Sequence, residues 1–408
     1  MIKPLRGMKD IAFEDAKKFE YFIETASKVA KNYGYEYIET PLLEETSLFK
    51  RSVGNSSDIV NKEMYQFFDK GNHDVCLRPE GTAGVVRFFI SNKLDRVPQK
   101  YKFFYNGAMF RYERPQKGRL REFHQFGCES FGEASVYEDY IIIEMIAAIF
   151  NKLNIGYKVE INSLGCSKCM PKYRDNLVNF LETKKDKLCE DCNIRITTNP
   201  IRVLDCKNEN CQKELINAPK ITDNLCESCQ ADFNRLKELL DKSDINYRVN
   251  KSLVRGLDYY NKTAFEFISD EIGAQSSIAG GGRYDNLVEY LGGKSTPAVG
   301  FAIGVERVLD LVELPNNKRE GYYFGVMESS ALDTILNLAK NVRANTKAFV
   351  EYEKKKLKAH LKNADRFNTK YCCVIGEDEL QNGTIWVKDL EAKKEEVINL
   401  EKFIKSIA

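Results

Sequence analysis

Histidine is scarce in this chain of 408 residues: only His73, His124 and His360 occur. A Ser-His-Asp hydrolase has to draw on one of them, and none stands near a nucleophile-elbow pattern. Net charge is lacking as well. Lys and Arg number 62 against 60 Asp and Glu, which gives +2. That excludes the global basic field of a DNA-coating protein, so any nucleic-acid contact has to be local. The opening stretch, MIKPLRGMKDIAF, has no apolar h-region. No window approaches about 18 uninterrupted apolar residues. A soluble, cytoplasmic protein with no membrane partner is expected. Repeats and low-complexity tracts are absent too. At this length two or three domains are expected.

What is present has a clear order. Residues 13–33 space Phe19, Phe22, Ile23, Ala26, Val29, Ala30 and Tyr33 as a helix does, and Gly34 stops it. YEYIETPLL reads as a strand broken at Pro41, residues 101–131 as a hairpin, YEDYIIIEMIAAIFNKL as a buried helix and YKVEINSLG as a strand. From Cys166 to Lys251 strand signals fade, Lys- and Glu-rich helical stretches appear, and eight of the twelve cysteines gather. This reads as an inserted helical module, 166–251, interrupting a core that spans 1–318. Strands return at TAFEFIS and SSIAGGGRYD. After a polar linker from Pro315 to Glu320, residues 319–408 alternate strand and helix: YYFGVM, 331–345, a strand, 353–363, YCCVIG, GTIWVKDL and a last helix. That alternation marks a separate small α/β domain.

Four patches gather glycines and charged groups on strands. In FRYERPQKGRLREFHQFGCESFG, 110–132, Phe110 and Tyr112 face one way, Arg111 and Glu113 the other. Beyond a basic loop with Lys117, Arg119 and Arg121, Phe126 and Cys128 share one face and Gln125, Gly127 and Glu129 the other. Such alternation means half-buried strands with one polar face. An arginine fixed by Glu113 suits an anion, because its planar fork matches phosphate oxygens, and the loop suits a polyphosphate or a nucleic-acid backbone. In SLVRGLDYYNKTAFEF, Arg255, Asp258, Tyr259 and Tyr260 suit a pocket for a small polar ligand. In IAGGGRYDNL three glycines in a strand allow close approach to the backbone. In PAVGFAIGVERVLDLV, Ala298, Gly300, Ala302 and Gly304 leave one strand face nearly bare, and Arg307 follows in the first turns of a helix. Each patch also has an ordinary explanation: a solvated charge run, aromatic packing, a β-bulge, close helix–sheet packing.

The cysteines in the module form four close pairs: Cys166 with Cys169, Cys189 with Cys192, Cys206 with Cys211, and Cys226 with Cys229. In a long chain without an export signal, reduced thiols or metal ligation are expected rather than disulfides. Thiolates in such pairs suit tetrahedral Zn²⁺. Eight ligands make two Cys₄ sites, or one site with four cysteines spare, and sequence does not decide the pairing. Structural Zn²⁺ is the expectation; reduced thiols are the alternative.

Taken together, the order and spacing of these patches resemble the class II aminoacyl-tRNA synthetases, specifically the histidyl-tRNA synthetase family. RGMKDI, 6–11, is similar to the family's N-terminal signature; the segment around Pro41 to motif 1, the dimer motif; 110–132 to motif 2; LVRGLDYY and GGGRYDNL to the two histidine-specific motifs; GFAIGVERV to motif 3. The resemblance covers essentially the whole chain. It implies an α+β catalytic core, an antiparallel sheet flanked by helices, with a helical insertion and a C-terminal α/β anticodon-binding domain. It implies ligation of L-histidine to the 3′ end of tRNA(His) through histidyl-adenylate, with ATP and Mg²⁺, in a homodimer.

The resemblance also implies roles. Arg111 and Arg255 would flank the α-phosphate, and Arg307 would hold the distal phosphates or stack on adenine. Glu113, Arg119 and Gly304 would belong to the ATP site. Glu129 and Tyr260 would read the imidazole, Glu80, Gly81, Thr82 and Gln125 would surround the α-amino group, and Tyr259 would complete the pocket. Two alternatives are weighed against this. One is the non-catalytic regulatory subunit of ATP phosphoribosyltransferase, which shares the catalytic fold but typically lacks the anticodon domain and intact adenylation motifs. The other is a tRNA-binding or zinc-stabilised RNA chaperone.

Overall fold

The computed structural model describes residues 2–407 except 55, 56, 58, 207, 276, 316 and 317. Ser276 of an expected strand and part of the expected linker thus lie outside the described residues. The chain divides into two compact units, Met1–Leu314 and Pro315–Ala408. No described helix is long and apolar enough to cross a membrane.

The first unit is built on an eight-stranded sheet. Its order is Glu36–Tyr37, Tyr101–Phe110, Glu122–Phe131, Ala298–Gly304, Ser277–Arg283, Asn261–Ile268, Lys158–Ser163, Tyr247–Val249. The six inner strands pair antiparallel, and only the two edge strands pair parallel. Because side chains alternate faces, Phe126, Cys128, Val299, Phe301, Ile303, Phe265 and Phe267 fall on one side. There they pack in one cluster with Phe22, Ala26 and Val29 of the helix Phe13–Asn32 and with the helix Val136–Lys152. Each fully buried phenylalanine in such a cluster contributes roughly 2–3 kcal/mol. Gly34, at φ +81°, ends the first helix in a conformation that favours glycine.

The opposite face is divided. At one end a second cluster covers it: Phe103, Tyr105, Phe131, Tyr284 and Ala298 pack under Val85, Val86 and Phe89 of the helix Thr82–Ser91. The rest stays uncovered and becomes the cleft described below.

The insertion has its own small core. Tyr173, Leu177 and Leu181 of the helix Met170–Glu182 meet Ile196, Val203 and Leu215. The second unit is a five-stranded sheet ordered Ala348–Val350, Tyr322–Val326, Tyr371–Ile375, Thr384–Asp389, Lys394–Asn399. Its core joins Phe324, Ile375 and Ile385 to Ile335, Leu338 and Val342 of the helix Leu332–Arg343.

Candidate active site

The uncovered face opens into a cleft of about 180 Å³, lined by Glu80, Arg111, Glu113, Arg119, Gln125, Arg255, Tyr259, Tyr260, Gly304 and Arg307, among others. The hairpin supplies one wall. Its loop is not the free charged tip that a run of cations suggests. Arg121 N donates to Gly7 O at 2.7 Å, and Gln116 and Arg119 pair through their backbones. Arg307 then ties the loop to the sheet: Nε donates to Gly118 O at 2.9 Å and Nη1 to Ser277 O at 2.7 Å. Gly7, at φ +84°, leaves room for the side chains of Pro115 and Arg121, which a Cβ there would meet at 2.9 and 2.8 Å. The RGMKDI segment therefore positions the loop.

The expected Arg111–Glu113 pairing is looser than the sequence suggests. Arg111 Nη1 lies 3.9 Å from Glu113, whereas Arg119 Nε lies 2.9 Å from it. Arg111 is oriented by Pro79, whose carbonyl accepts from its Nε at 2.9 Å. The reason is geometric: the strand ends at Phe110, so Arg111 and Glu113 lie beyond it and need not share a face, and the loop brings Arg119 closer. Burial and the neighbouring Arg119 guanidinium both push the Arg307 pKa below the usual arginine range. Arg111, Arg119 and Arg307 thus gather around Glu113.

Arg255 approaches from the opposite wall. Burial works to lower its pKa, but Glu266 holds it above the usual range through a close ion pair, and the guanidinium stands 5.8 Å over the Tyr260 ring. A Cβ at Gly280 would collide with that guanidinium, so one glycine of the triple-glycine strand makes room for Arg255 itself. Gly300 does the same for the Glu129 carboxylate.

Glu129 lies beneath the cleft and does not line it. It is fully buried under the helix Thr82–Ser91. Thr82 Oγ1 donates to it at 2.7 Å, Tyr105 OH at 3.3 Å, and Tyr284 OH through a short bond. Burial pushes its pKa up to about 8, against those hydrogen bonds, and the nearby Glu80 charge adds to the rise. Glu80 is held at the helix N-terminus, accepting from the amides of Thr82 and Ala83 at 2.7 and 2.9 Å. Burial still raises its pKa above the ordinary carboxylate value. Gly81 abuts Tyr105, whose ring a Cβ would strike. Tyr259 is buried and packs 4.7 Å from Tyr260 and 5.6 Å from Tyr284.

Among the described residues, the buried side-chain atoms without a hydrogen-bond partner include Gln125 Oε1, Arg255 Nε and Tyr259 OH, all of residues that line the cleft. Buried polar atoms in native proteins are nearly always paired, so three unpaired ones on residues lining one cleft suit a polar ligand.

Sequence reasoning missed Tyr105, Tyr284 and Glu266. Glu266 had a signal, since it alternates with Phe265 and Phe267. Tyr105 and Tyr284 had none, because their role depends on the helix that crosses above them. Of the histidines, His124 pairs with Glu306 at 2.8 Å beside Phe19, and His360 is buried in the second unit against Tyr323 OH and Val326 O, 3.0 Å from each.

The insertion cysteines sort into two groups of four. Cys166 and Cys169 join Cys226 and Cys229; Cys189 and Cys192 join Cys206 and Cys211; within each group all sulfurs lie within 4.8 Å of one another. Thiolates about 2.3 Å from a shared tetrahedral ion stand about 3.8 Å apart. The sulfur separations for Cys166–Cys169, Cys166–Cys226 and Cys189–Cys206 are 3.7, 3.8 and 3.8 Å. Amides of Cys226 and Cys189 donate to Cys169 Sγ and Cys211 Sγ at 3.2 and 3.1 Å, the kind of bond that steadies a thiolate holding a metal. The described residues therefore fit two Cys₄ metal sites.

Comparison with known proteins agrees with this geometry. The family model described as Histidyl-tRNA synthetase matches residues 7–308, and that described as Anticodon binding domain matches 315–408. A protein of Sulfurovum sp. (strain NBC37-1) named Histidine--tRNA ligase is 65% identical over 400 residues, covering 98% of this chain and 99% of its own. One of Campylobacter jejuni subsp. jejuni serotype O:23/36 (strain 81-176) with the same name is 56% identical over 402 residues, 98% of each chain. An apo histidyl-tRNA synthetase crystal structure from S. aureus superposes with a TM-score of 0.84 at 35% identity over 100% of both chains. A structure from Bacillus halodurans C, titled as an ATP phosphoribosyltransferase regulatory subunit/histidyl-tRNA synthetase, is 20% identical with a TM-score of 0.65 over 92% of this chain and 98% of its own, a likeness of fold alone. From its motifs, its sheet and these matches, the chain belongs to the histidyl-tRNA synthetase family.

Proposed function

We propose that this cleft performs the histidine–tRNA ligase reaction. The carboxylate of L-histidine attacks the α-phosphorus of ATP, the bond to the β-phosphate oxygen breaks, and pyrophosphate leaves. The 3′-terminal hydroxyl of tRNA(His) then attacks the acyl carbon and releases AMP. Two anions must meet in the first step, so fixed cations have to neutralise the charge that develops. One observation carries the reading: Arg111, Arg119, Arg255 and Arg307 share a cleft with the buried carboxylate Glu80, and a second buried carboxylate, Glu129, lies beneath it.

Arg111 and Arg255, on opposite walls, hold the α-phosphate from two sides. Arg307, with Arg119 and Glu113 beside it, takes the distal phosphates, and Gly304 leaves space for the nucleotide. Mg²⁺ enters as part of the ATP substrate complex and supplies further positive charge. Glu80 and Gln125, with Gly81 and Thr82 shaping that corner, hold the α-amino group, and Glu129 and Tyr260 read the imidazole. A site built to pair buried polar groups rejects analogues that leave them unpaired. The two Cys₄ groups hold structural Zn²⁺ and take no part in the chemistry. The C-terminal unit serves the tRNA anticodon. Two chains associate through the segment around Pro41, where Leu42, Leu43 and Phe68 are exposed.

The test is ATP–pyrophosphate exchange by the purified chain with each of the twenty amino acids and no tRNA. Exchange with histidine alone is expected, and Arg255→Ala abolishes it with the fold intact. A folded chain that exchanges with none refutes the reading and puts the regulatory-subunit alternative first.

A further inference from the structure

Residues 253–260 carry Arg255, Tyr259 and Tyr260, yet no helix or strand holds them. Arg255, Leu257, Tyr259 and Tyr260 line the cleft on one side, and on the other they line a second cavity that also touches Cys166, Asn199 and Arg202. With space on both faces and no helix or strand around it, the segment is held by the packing of Leu257, Tyr259 and Tyr260 and by its polar anchors.

One anchor comes from the insertion and a second from the residues just before it. Arg202 Nε donates to Asp258 Oδ1 at 2.7 Å and Nη2 to Gly256 O at 2.7 Å, while Asn199 Nδ2 donates to the same Asp258 oxygen at 2.9 Å. Arg202 sits in the 3₁₀ turn Pro200–Asp205, and that turn is bracketed by thiols of one group: Cys192 on the helix Glu190–Thr198 before it and Cys206 directly after. The second anchor is backbone. Lys262 N donates to Gly165 O at 2.8 Å and Leu164 N to Lys262 O at 2.6 Å. Cys166 of the other group follows Gly165 directly, and Lys262 is two residues beyond Tyr260.

We propose that the two metal ions set the position of the 253–260 segment, one by fixing the turn that carries Arg202 and the other by fixing Gly165 against Lys262, and that Arg202 is a positioning residue for Arg255 and the paired tyrosines. This rests on the adenylation reading of the cleft. A displacement of about 1 Å in a group that meets the transition state costs on the order of a hundredfold in rate, so a loosened anchor reaches the chemistry without touching substrate.

The full-length chain, purified without chelator, is expected to carry about two zinc ions by elemental analysis, and Cys206→Ser with Cys211→Ser about one. Arg202→Ala keeps both ions but lowers the rate constant of histidine-dependent exchange about tenfold or more, with KM for ATP little changed. Arg202→Lys recovers part of the loss. Asp258→Asn weakens only the Arg202–Asp258 contact and lowers the rate less than Arg202→Ala, which also loses the bond to Gly256 O, and the double variant is less than additive, because the two changes share a contact. Amide exchange of residues 253–260 in the full chain rises in Arg202→Ala, a readout independent of activity. Metal-free wild-type chain, additive losses, or Arg202→Ala with unchanged exchange of both kinds overturns the proposal. A wild type that holds two zinc ions and loosens at 253–260 when Arg202 is changed, but shows no histidine-dependent pyrophosphate exchange, overturns the adenylation reading and the positioning of catalysis with it, leaving only the latch.

Discussion

Replacing Glu129 by glutamine isolates the electrostatic cost of the cleft. Glu129 is 0% exposed, and burial raises its pKa from the ordinary 4.5 to about 8 in the folded chain. The folded state therefore keeps this proton to higher pH than the unfolded chain does. The cost of ionising it is absent below the ordinary value, grows as pH rises, and is complete only above about 8. Between about pH 5 and about pH 8.5 this linkage removes about 4 kcal/mol from the stability of the first unit. Glutamine has nearly the same shape, accepts from Thr82, and has nothing to ionise. Urea unfolding of wild type and Glu129→Gln across this range should show near-equal stability at the acid end and a variant that gains steadily toward the alkaline end. Bound L-histidine, whose imidazolium would pair with the carboxylate, should flatten the wild-type slope and leave the variant's alone. A stability difference that stays constant with pH refutes the burial argument, and a slope indifferent to histidine refutes the assignment of Glu129 to the imidazole.

Other consequences are as direct. Gly280→Ala puts a methyl group against the Arg255 guanidinium, the far end of a flexible side chain; pyrophosphate exchange should fall about tenfold or more while the thermal midpoint hardly moves. Arg283 and Asp139, both about 1% exposed, form a buried pair; Arg283→Met strands the carboxylate and should cost about 3–5 kcal/mol in denaturant unfolding, with Asp139→Leu in the same chain recovering most of it. Burial lowers the His360 pKa below its ordinary 6.5, so its contribution is intact above that value and is lost as pH falls through it; amide exchange in the second unit should quicken below about pH 6.5, and a first unit that loosens instead would contradict this.

Much of the fold could be read from periodicity. The helix Phe13–Asn32 lies within one residue of the apolar spacing that predicted it, and the hairpin strands Tyr101–Phe110 and Glu122–Phe131 follow its alternation. What escaped has physical causes. The strand Lys394–Asn399 is almost wholly exposed and charged, as suits an edge that must not recruit another sheet, and it carries no alternation to detect. Thr82–Ser91 is short and apolar on most sides, a pattern that does not distinguish a buried helix from a buried strand. The cysteine pairing was open because either nesting satisfies the spacing. The structure resolves it by bringing the two ends of the module together at Cys166, Cys169, Cys226 and Cys229.

The same alternation explains why the polar face works as a site over only half its length. Gln125 and Glu129 share one face of one strand, which is all that alternation reports of them. The helix Thr82–Ser91 covers Glu129 and stops short of Gln125, which lines the cleft. Covering turns a solvated carboxylate into one that burial keeps protonated until about pH 8, so position along a strand, not face, separates the buried group suited to a polar ring from the one that lines the cleft. A period of two reports the face alone. The depth at which each charge sits is set by residues more than thirty positions away, and those decide which of them can hold a proton at neutral pH.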